Sequence, residues 1–276
     1  TGTEILNNYF QVLYDGVAGA NQYDQILFYE FGRNYWLYAN QLDYHAPDND
    51  PVATGFAVYM RFVTMNVVGV AGGPYNGVAF STFASAVTNL IDSYALSPGL
   101  NWSNTFRISQ APPNSLGLGG TDLIASLLMR IGRDFGGTNF AANFWHQAAL
   151  RPSASSTLQA ADNFVITACA AVHTNLTQLF AANWKWPVSS AAIQQAQKAW
   201  GTPVTFPPPV VVSNRSNNAV TLSWSTEPGL KYQVQRSSDL LAWTDFGGAL
   251  VGTGGTLRST IANNSAAQLF FRIMVQ

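Results

Sequence analysis

A change in hydrophobic spacing, with a proline-rich stretch at the change point, predicts a multidomain α+β chain. Up to about residue 202 apolar residues recur three and four apart, the spacing that puts them on one face of a helix. Pro203 to Pro209, ending in Pro207-Pro208-Pro209, is a stiff linker. From residue 210 to 276 the period becomes two, which makes a half-buried strand and, with turns close together, a small all-β sandwich. A chain of 276 residues is long enough to bury a core in a mostly helical domain over 1–202 and still carry the β module.

Ile5, Leu6, Tyr9, Phe10 and Leu13 share one helical face, and Gly16 is expected to end that helix. The stretch from Tyr23 to Tyr38 is apolar nearly all round, the pattern of a buried helix. After the polar loop Asp43 to Pro51, Phe56, Tyr59, Met60, Phe62 and Val63 mark a helix over 55–70. Residues 69–77 are glycine-rich, and 80–94 read as one further helix. Beyond the loop 109–120, Thr121 is expected to cap a helix through Leu123, Leu127 and Ile131, with Arg130 and Arg133 near its C-terminal end. Residues 139–150 follow the Gly136-Gly137 break. Ser156 or Thr157 then opens a long helix through Asp162 and Cys169, and 180–186 and 193–200 complete the helical part. In the last part Val220, Leu222 and Trp224 alternate with polar residues, as do Tyr232 and Val234, around the turn Glu227-Pro228-Gly229. Residues 240–246, 256–261 and 269–275 are expected to be strands as well.

Charged residues are only 10% of the chain against 47% hydrophobic, and 13 basic against 14 acidic residues leave a net charge of -1. Nucleic-acid binding needs a basic stripe, and this chain has none. No apolar run has the length of a membrane span. A surface resting on neutral amides and hydroxyls suits an extracellular protein or one packed into an assembly. Cys169, the only cysteine, sits in an apolar helical run and reads as an inert buried thiol. N-x-S/T triplets begin at Asn101, Asn175, Asn214 and Asn263.

The stretch Tyr29-Glu30-Phe31-Gly32-Arg33-Asn34 has the frame of the zinc-protease helix H-E-x-x-H with both ligand positions changed. Tyr29 stands at the first histidine, Glu30 at the general base and Arg33 at the second histidine. Arginine offers a metal no lone pair and stays charged. Glu30 then reads as a structural carboxylate, paired with Arg33 one turn on or with Arg61 from the next helix, and otherwise as a catalytic base. Arg33 would hold a fixed positive charge where such helices hold the ion. Tyr35, Trp36, Tyr38 and Tyr44 nearby are either core or a platform on which a sugar face could stack. His45, His146 and His173 lack metal-ligand spacing. Asp48-Asn49-Asp50 resembles part of a calcium loop without its glycine and distal glutamate, so a turn is expected, with calcium as an opportunistic ligand. No nucleophile elbow, Walker loop or dinucleotide fingerprint occurs.

Tyr29 to Asn34, with Asp122-Leu123-Ile124-Ala125-Ser126, Phe135-Gly136-Gly137 and Asn143-Phe144-Trp145, resembles the helical portion of secreted gluzincin metallopeptidases of the enhancin-like group. That family's pattern, H-E-x-G-H-N, implies ligands at positions 29 and 33 and an acidic ligand downstream, for which Asp43, Asp48 and Asp50 are the nearest carboxylates. Val220 to Trp224, Tyr232 to Leu240, Trp243-Thr244 and Phe270 to Ile273 resemble the fibronectin type III-like modules that end secreted bacterial proteins. Together these imply a secreted, bacterial-type metallopeptidase-like protein that has lost zinc and catalysis and works as an extracellular binding or structural scaffold. Its partner would be a protein or glycan. An active hydrolase using Glu30 with an atypical metal, and a self-associating subunit of a filament or surface assembly, are the alternatives.

Overall fold

The computed structural model describes residues 7–204, 211–215, 219–238, 243–262 and 269–275. Ile5, Leu6, Pro207 to Pro209, the start of the strand expected from Leu240, and Asn263 lie outside them. The described residues fall into two compact units, 7–94 with 99–204 and 95–98 with those from 211 on.

The helices are α1 (Asn7–Ala20), α2 (Ile26–Asn34), α3 (Ala39–Leu42), α4 (Val52–Val68), α5 (Phe80–Thr88), α6 (Leu90–Leu96), α7 (Gly120–Ile131), α8 (Phe140–Ala148), α9 (Thr157–Val172) and α10 (Ser190–Trp200). Gly16 does not end α1; the turn comes at Asn21, whose φ of 50 reverses the chain so that Gln22 N–H reaches the Gly16 carbonyl. Residues 80–94 make two helices because the backbone breaks at Asn89. The N-cap of α7 is Gly119 in place of the expected Thr121, and Asp122 inside the first turn reaches back so that its carboxylate accepts the Gly119 N–H at 2.9 Å. Ser156 caps α9 as expected, accepting from Gln159 N–H. Only Leu179–Asn183 is helical in the stretch expected to run to Trp186.

Two helices, α4 and α9, each gather several neighbours. One side of α4 meets α7 and another meets α2, and α9 lies against α8, α3 and α10. Gly55 sets the first approach: a Cβ there would stand 2.5 Å from Ile124 Cβ, so only glycine lets α4 and α7 touch. Trp186 closes one end of the core, its ring 4.9 Å from Phe106, 5.2 Å from Phe164 and 5.7 Å from Phe180, with its N–H given to the Ala161 carbonyl. Each such buried ring contributes roughly 1.5–3 kcal/mol of transfer free energy.

The β strands are β1 (Val211–Arg215), β2 (Ala219–Ser225), β3 (Lys231–Ser237), β4 (Thr244–Asp245), β5 (Leu250–Val251), β6 (Thr256–Ala262) and β7 (Phe270–Val275). They form two antiparallel sheets, β1-β2-β6 and a second in which β4, β5 and β7 pair with β3. Alternation does the work: Leu222 and Trp224 from one sheet and Tyr232, Val234 and Ile273 from the other are buried, and the Trp224 and Tyr232 rings meet at 6.4 Å. The α+β class, a mostly helical part with a small all-β part, is therefore what the chain adopts.

Candidate functional site

The altered motif lies on α2, which is not the buried helix its composition suggests. Of its residues only Gly32 is fully buried, and Phe31 is 54% exposed. One face alone packs on α4. Gly32 makes that contact, because a Cβ there would come within 2.8 Å of Met60 Cβ and 3.2 Å of the Ala57 backbone. The helix also ends early, at Asn34, since Tyr35 leaves helical geometry and Trp36 to Tyr38 run into α3. The composition misled because large aromatic residues on α2 line a groove and do not face a second layer.

The positive charge beside Tyr29 belongs to Arg61. Its guanidinium carbon lies 5.0 Å from the Tyr29 ring centre, 5.3 Å from Phe83, 5.4 Å from Tyr75 and 5.8 Å from Phe62. The residue is buried, and its Nε and Nη1 have no hydrogen-bond partner. Burial pushes its pKa down from the usual arginine value, opposed by attraction to Tyr75, Asp122 and Tyr29. Such contacts are each worth about 0.5–2 kcal/mol when desolvated, so the aromatic box is what holds the cation.

Arg33, by contrast, points outward with its side chain 63% exposed, and its Nη1 is 4.0 Å from Glu30 Oε1. That is the limit of an ion pair at a solvated position, worth a fraction of a kcal/mol. The expectation was a fixed positive charge at position 33 where such helices hold the ion; the charge there lies largely in solvent. Among the described residues Glu30 pairs with Arg33 and not with Arg61.

Of the four aromatic residues weighed as a platform, Tyr38 and Tyr44 are core. Trp36 is half-buried, gives its N–H to Asp43 Oδ1 at 2.8 Å and packs on Phe56. The Tyr44 hydroxyl accepts from Trp102 at 3.2 Å. Tyr35 alone is free to meet a ligand, 64% exposed. It sits with Phe31, Met60, Val63, Trp145 and His146 in a mostly apolar groove of about 540 Å³ between α2, α4 and α8. The indole of Trp145 is fixed there by its N–H to the Tyr35 carbonyl, at 3.0 Å. Val63 and Val67 form a ridge, and beyond it lies a second groove of about 630 Å³ lined by Tyr59, Phe80, Met129 and Arg133 among others. The sequence reading missed Phe31 because nothing in it says which face of α2 is free; the i, i+4 pair Phe31–Tyr35 was the available signal.

The acidic loop splits into two environments. Asp43 is pushed up to about 6, mainly by burial and then by the charge of Asp50, while the Trp36 N–H works the other way. Burial raises Asp50 also, against the backbone N–H groups of Tyr44, Val52 and Ala53. For Asp48 burial is outweighed by the Thr157 hydroxyl and by Arg107, whose Nε lies 2.7 Å away, so its pKa falls. These contacts make the loop a structural turn at the start of α4. Zinc does not fit the donor set at the motif: Tyr29 faces a guanidinium and Arg33 offers no lone pair. Among the described residues no group of three or more His, Cys, Asp and Glu could hold an ion.

Cys169 is buried, and burial pushes its thiol up to about 11 against the opposing effect of the Leu176 N–H it accepts, far from thiolate chemistry. Asn175 is buried, its amide given to the Gly201 carbonyl and its oxygen taking the Thr177 hydroxyl. Among the described residues no helix is long and apolar enough to cross a membrane.

No family model matches the chain, and no curated protein does. Similar solved structures are metallopeptidases of Clostridium perfringens. The ZmpB metallopeptidase is 15% identical over 90% of this chain and 49% of its own, with a TM-score of 0.42. The M60 catalytic domain of ZmpC, in complex with the sialyl T antigen, is 13% identical over 95% of this chain and 51% of its own, with a TM-score of 0.43. The chain thus spans about half the length of either.

Proposed function

We propose that the helical unit is a non-catalytic, metallopeptidase-like binding scaffold that works outside the cell and receives a protein or glycan in the α2–α4–α8 groove. The observation that carries it is Arg61 in its box on Tyr29: a fixed organic cation stands against the motif's first ligand position, so water there has no metal to lower its pKa. Arg33 at the second position cannot be a ligand. The groove supplies an alternative use for the same helix, since exposed Phe31 and Tyr35 with a fixed Trp145 make a wide, low-entropy contact surface. Low charge and amide richness support the extracellular setting.

Elemental analysis of the protein after incubation with zinc and gel filtration tests this reading. Metal far below one equivalent, unchanged by Glu30→Gln, is the expected result. One equivalent of zinc lost on Glu30→Gln or Tyr29→Phe would return the active-hydrolase reading.

A further inference from the structure

Asn76-Gly77 is the only Asn-Gly pair of the chain; every other asparagine precedes a residue that carries a Cβ. The pair forms the tip of a tight turn, with φ of 48 at Asn76 and 78 at Gly77. Tyr75 and Val78 close that turn by exchanging both backbone hydrogen bonds, at 2.8 and 2.9 Å. A left-handed tip of this kind suits asparagine followed by glycine. We propose that Asn76 is a self-modification site: its amide is lost to water without an enzyme, and the isoaspartate that results unlatches Tyr75 from the Arg61 box.

The chemistry needs a backbone nitrogen that can reach the side-chain amide, and the tip supplies one. Both residues are exposed, and a Cβ built on Gly77 would meet nothing within 4 Å. Among the described residues no hydrogen bond engages the Gly77 N–H or the Asn76 side chain. The Gly77 nitrogen gives its proton to water and attacks Asn76 Cγ; a C–N bond forms there, and the Cγ–Nδ2 bond breaks as ammonia leaves. Water then opens the cyclic imide. Opening at Cγ leaves aspartate, whereas opening at the main-chain carbonyl leaves isoaspartate, with the chain running through Cβ and Cγ. In total a water is consumed, an ammonia is released and a neutral amide becomes a carboxylate, with no change of oxidation state.

The fold gives the second product a local consequence. Before the turn the strap is anchored by Tyr23, which donates to the Ala71 carbonyl and accepts the Gly73 N–H, both at 2.8 Å. After the turn it is fixed where Phe80 starts α5, so a chain lengthened by an extra methylene must find its slack at the tip. The paired bonds between Tyr75 and Val78 cannot both survive that change. Tyr75 is the wall they hold: its ring stacks on Phe83 at 4.1 Å and lies 5.4 Å from the Arg61 guanidinium carbon. The device is a slow, one-way release of that wall, and it stands whether or not the α2–α4–α8 groove binds a ligand.

Ageing the native chain in mildly alkaline buffer tests the proposal. Peptide mass spectrometry should find the acid form at Asn76 before any other asparagine, and methylation by an isoaspartate-specific methyltransferase should mark it. The aged form adds a negative charge to the net of -1, so anion exchange separates it from the fresh chain. Amide hydrogen exchange from Tyr75 to Phe83 should then run roughly two- to thirtyfold faster, the range to which loss of a single cation–ring contact converts. Asn76→Gly accepts the positive φ and has no amide to lose, so it should age without change. Asn76→Asp carries the charge on an ordinary backbone, and when fresh it should exchange like the native chain. An Asn76 that stays intact, or converts only after other asparagines, overturns the modification. Unchanged exchange in the isoaspartate form, or equal speeding in fresh Asn76→Asp, overturns the release of Tyr75.

Discussion

Helices α2 and α9 are both largely apolar, yet one lies on the surface and the other is buried over most of its length. From Ala160 to Ala171 almost every residue of α9 is buried, and five of its residues are alanines that let neighbours close in from several sides. On α2 only Gly32 is buried, and bulky Phe31 and Tyr35 beside it hold a groove open. Hydrophobicity alone does not place a helix; the size of its residues decides how many neighbours can approach.

Substitutions can break that contrast in order of size. Phe164→Ala on α9 should cost about 3–5 kcal/mol, read as a lower midpoint in urea, because its ring lies between Phe144 and Trp186 with no slack to collapse. A loss no larger than for a surface change would mean that α9 is not a core helix. Arg61→Ala should cost about 2–4 kcal/mol by emptying the aromatic box, whereas Arg61→Met, which fills it and removes two unpartnered nitrogens, should cost much less. Equal losses from both would show that the charge, not the packing, is what matters. Gly32→Ala should cost about 1–3 kcal/mol through the Met60 contact. Arg33→Ala should stay within about 0.5 kcal/mol, and a larger loss would restore the reading in which Arg33 holds a structural charge.

Protons sharpen the picture at the junction of α3 and α4. Asp43 has a folded pKa of about 6 against an ordinary value of 3.8, so between those pH values the folded state binds more protons than the unfolded one. Stability therefore falls as pH rises through that window. Thermal unfolding should show a higher Tm at pH 5 than at pH 7, with the difference reduced in Asp43→Asn. Asp48 acts with the opposite sign, but its lowered pKa places its loss below the window.

Much of the fold was legible because the residues that form it repeat. Val220, Leu222 and Trp224 define a strand face without tertiary information, and Ser156 marks the start of α9 by its own chemistry. The candidate site was legible only in part. Tyr29, Glu30 and Arg33 could be aligned with a motif, but spacing along one helix cannot show that Tyr29, Tyr75 in a loop and Phe83 on α5 converge on Arg61 of α4. Tyr35 was found, while Tyr38 and Tyr44 proved to be core, since an aromatic run has the same letters whether its rings point in or out.

The buried amide of Asn175 bears on how the protein can be made. An enzyme that attaches sugar to Asn-Leu-Thr must take the chain while it is still extended, and a sugar on the buried Asn175 nitrogen would crowd out the Gly201 carbonyl it donates to. In a host that modifies nascent secretory chains, every molecule marked at that residue would be diverted from the native state. Yield from such a host should rise when Thr177 is replaced by Val, despite the bond it forfeits.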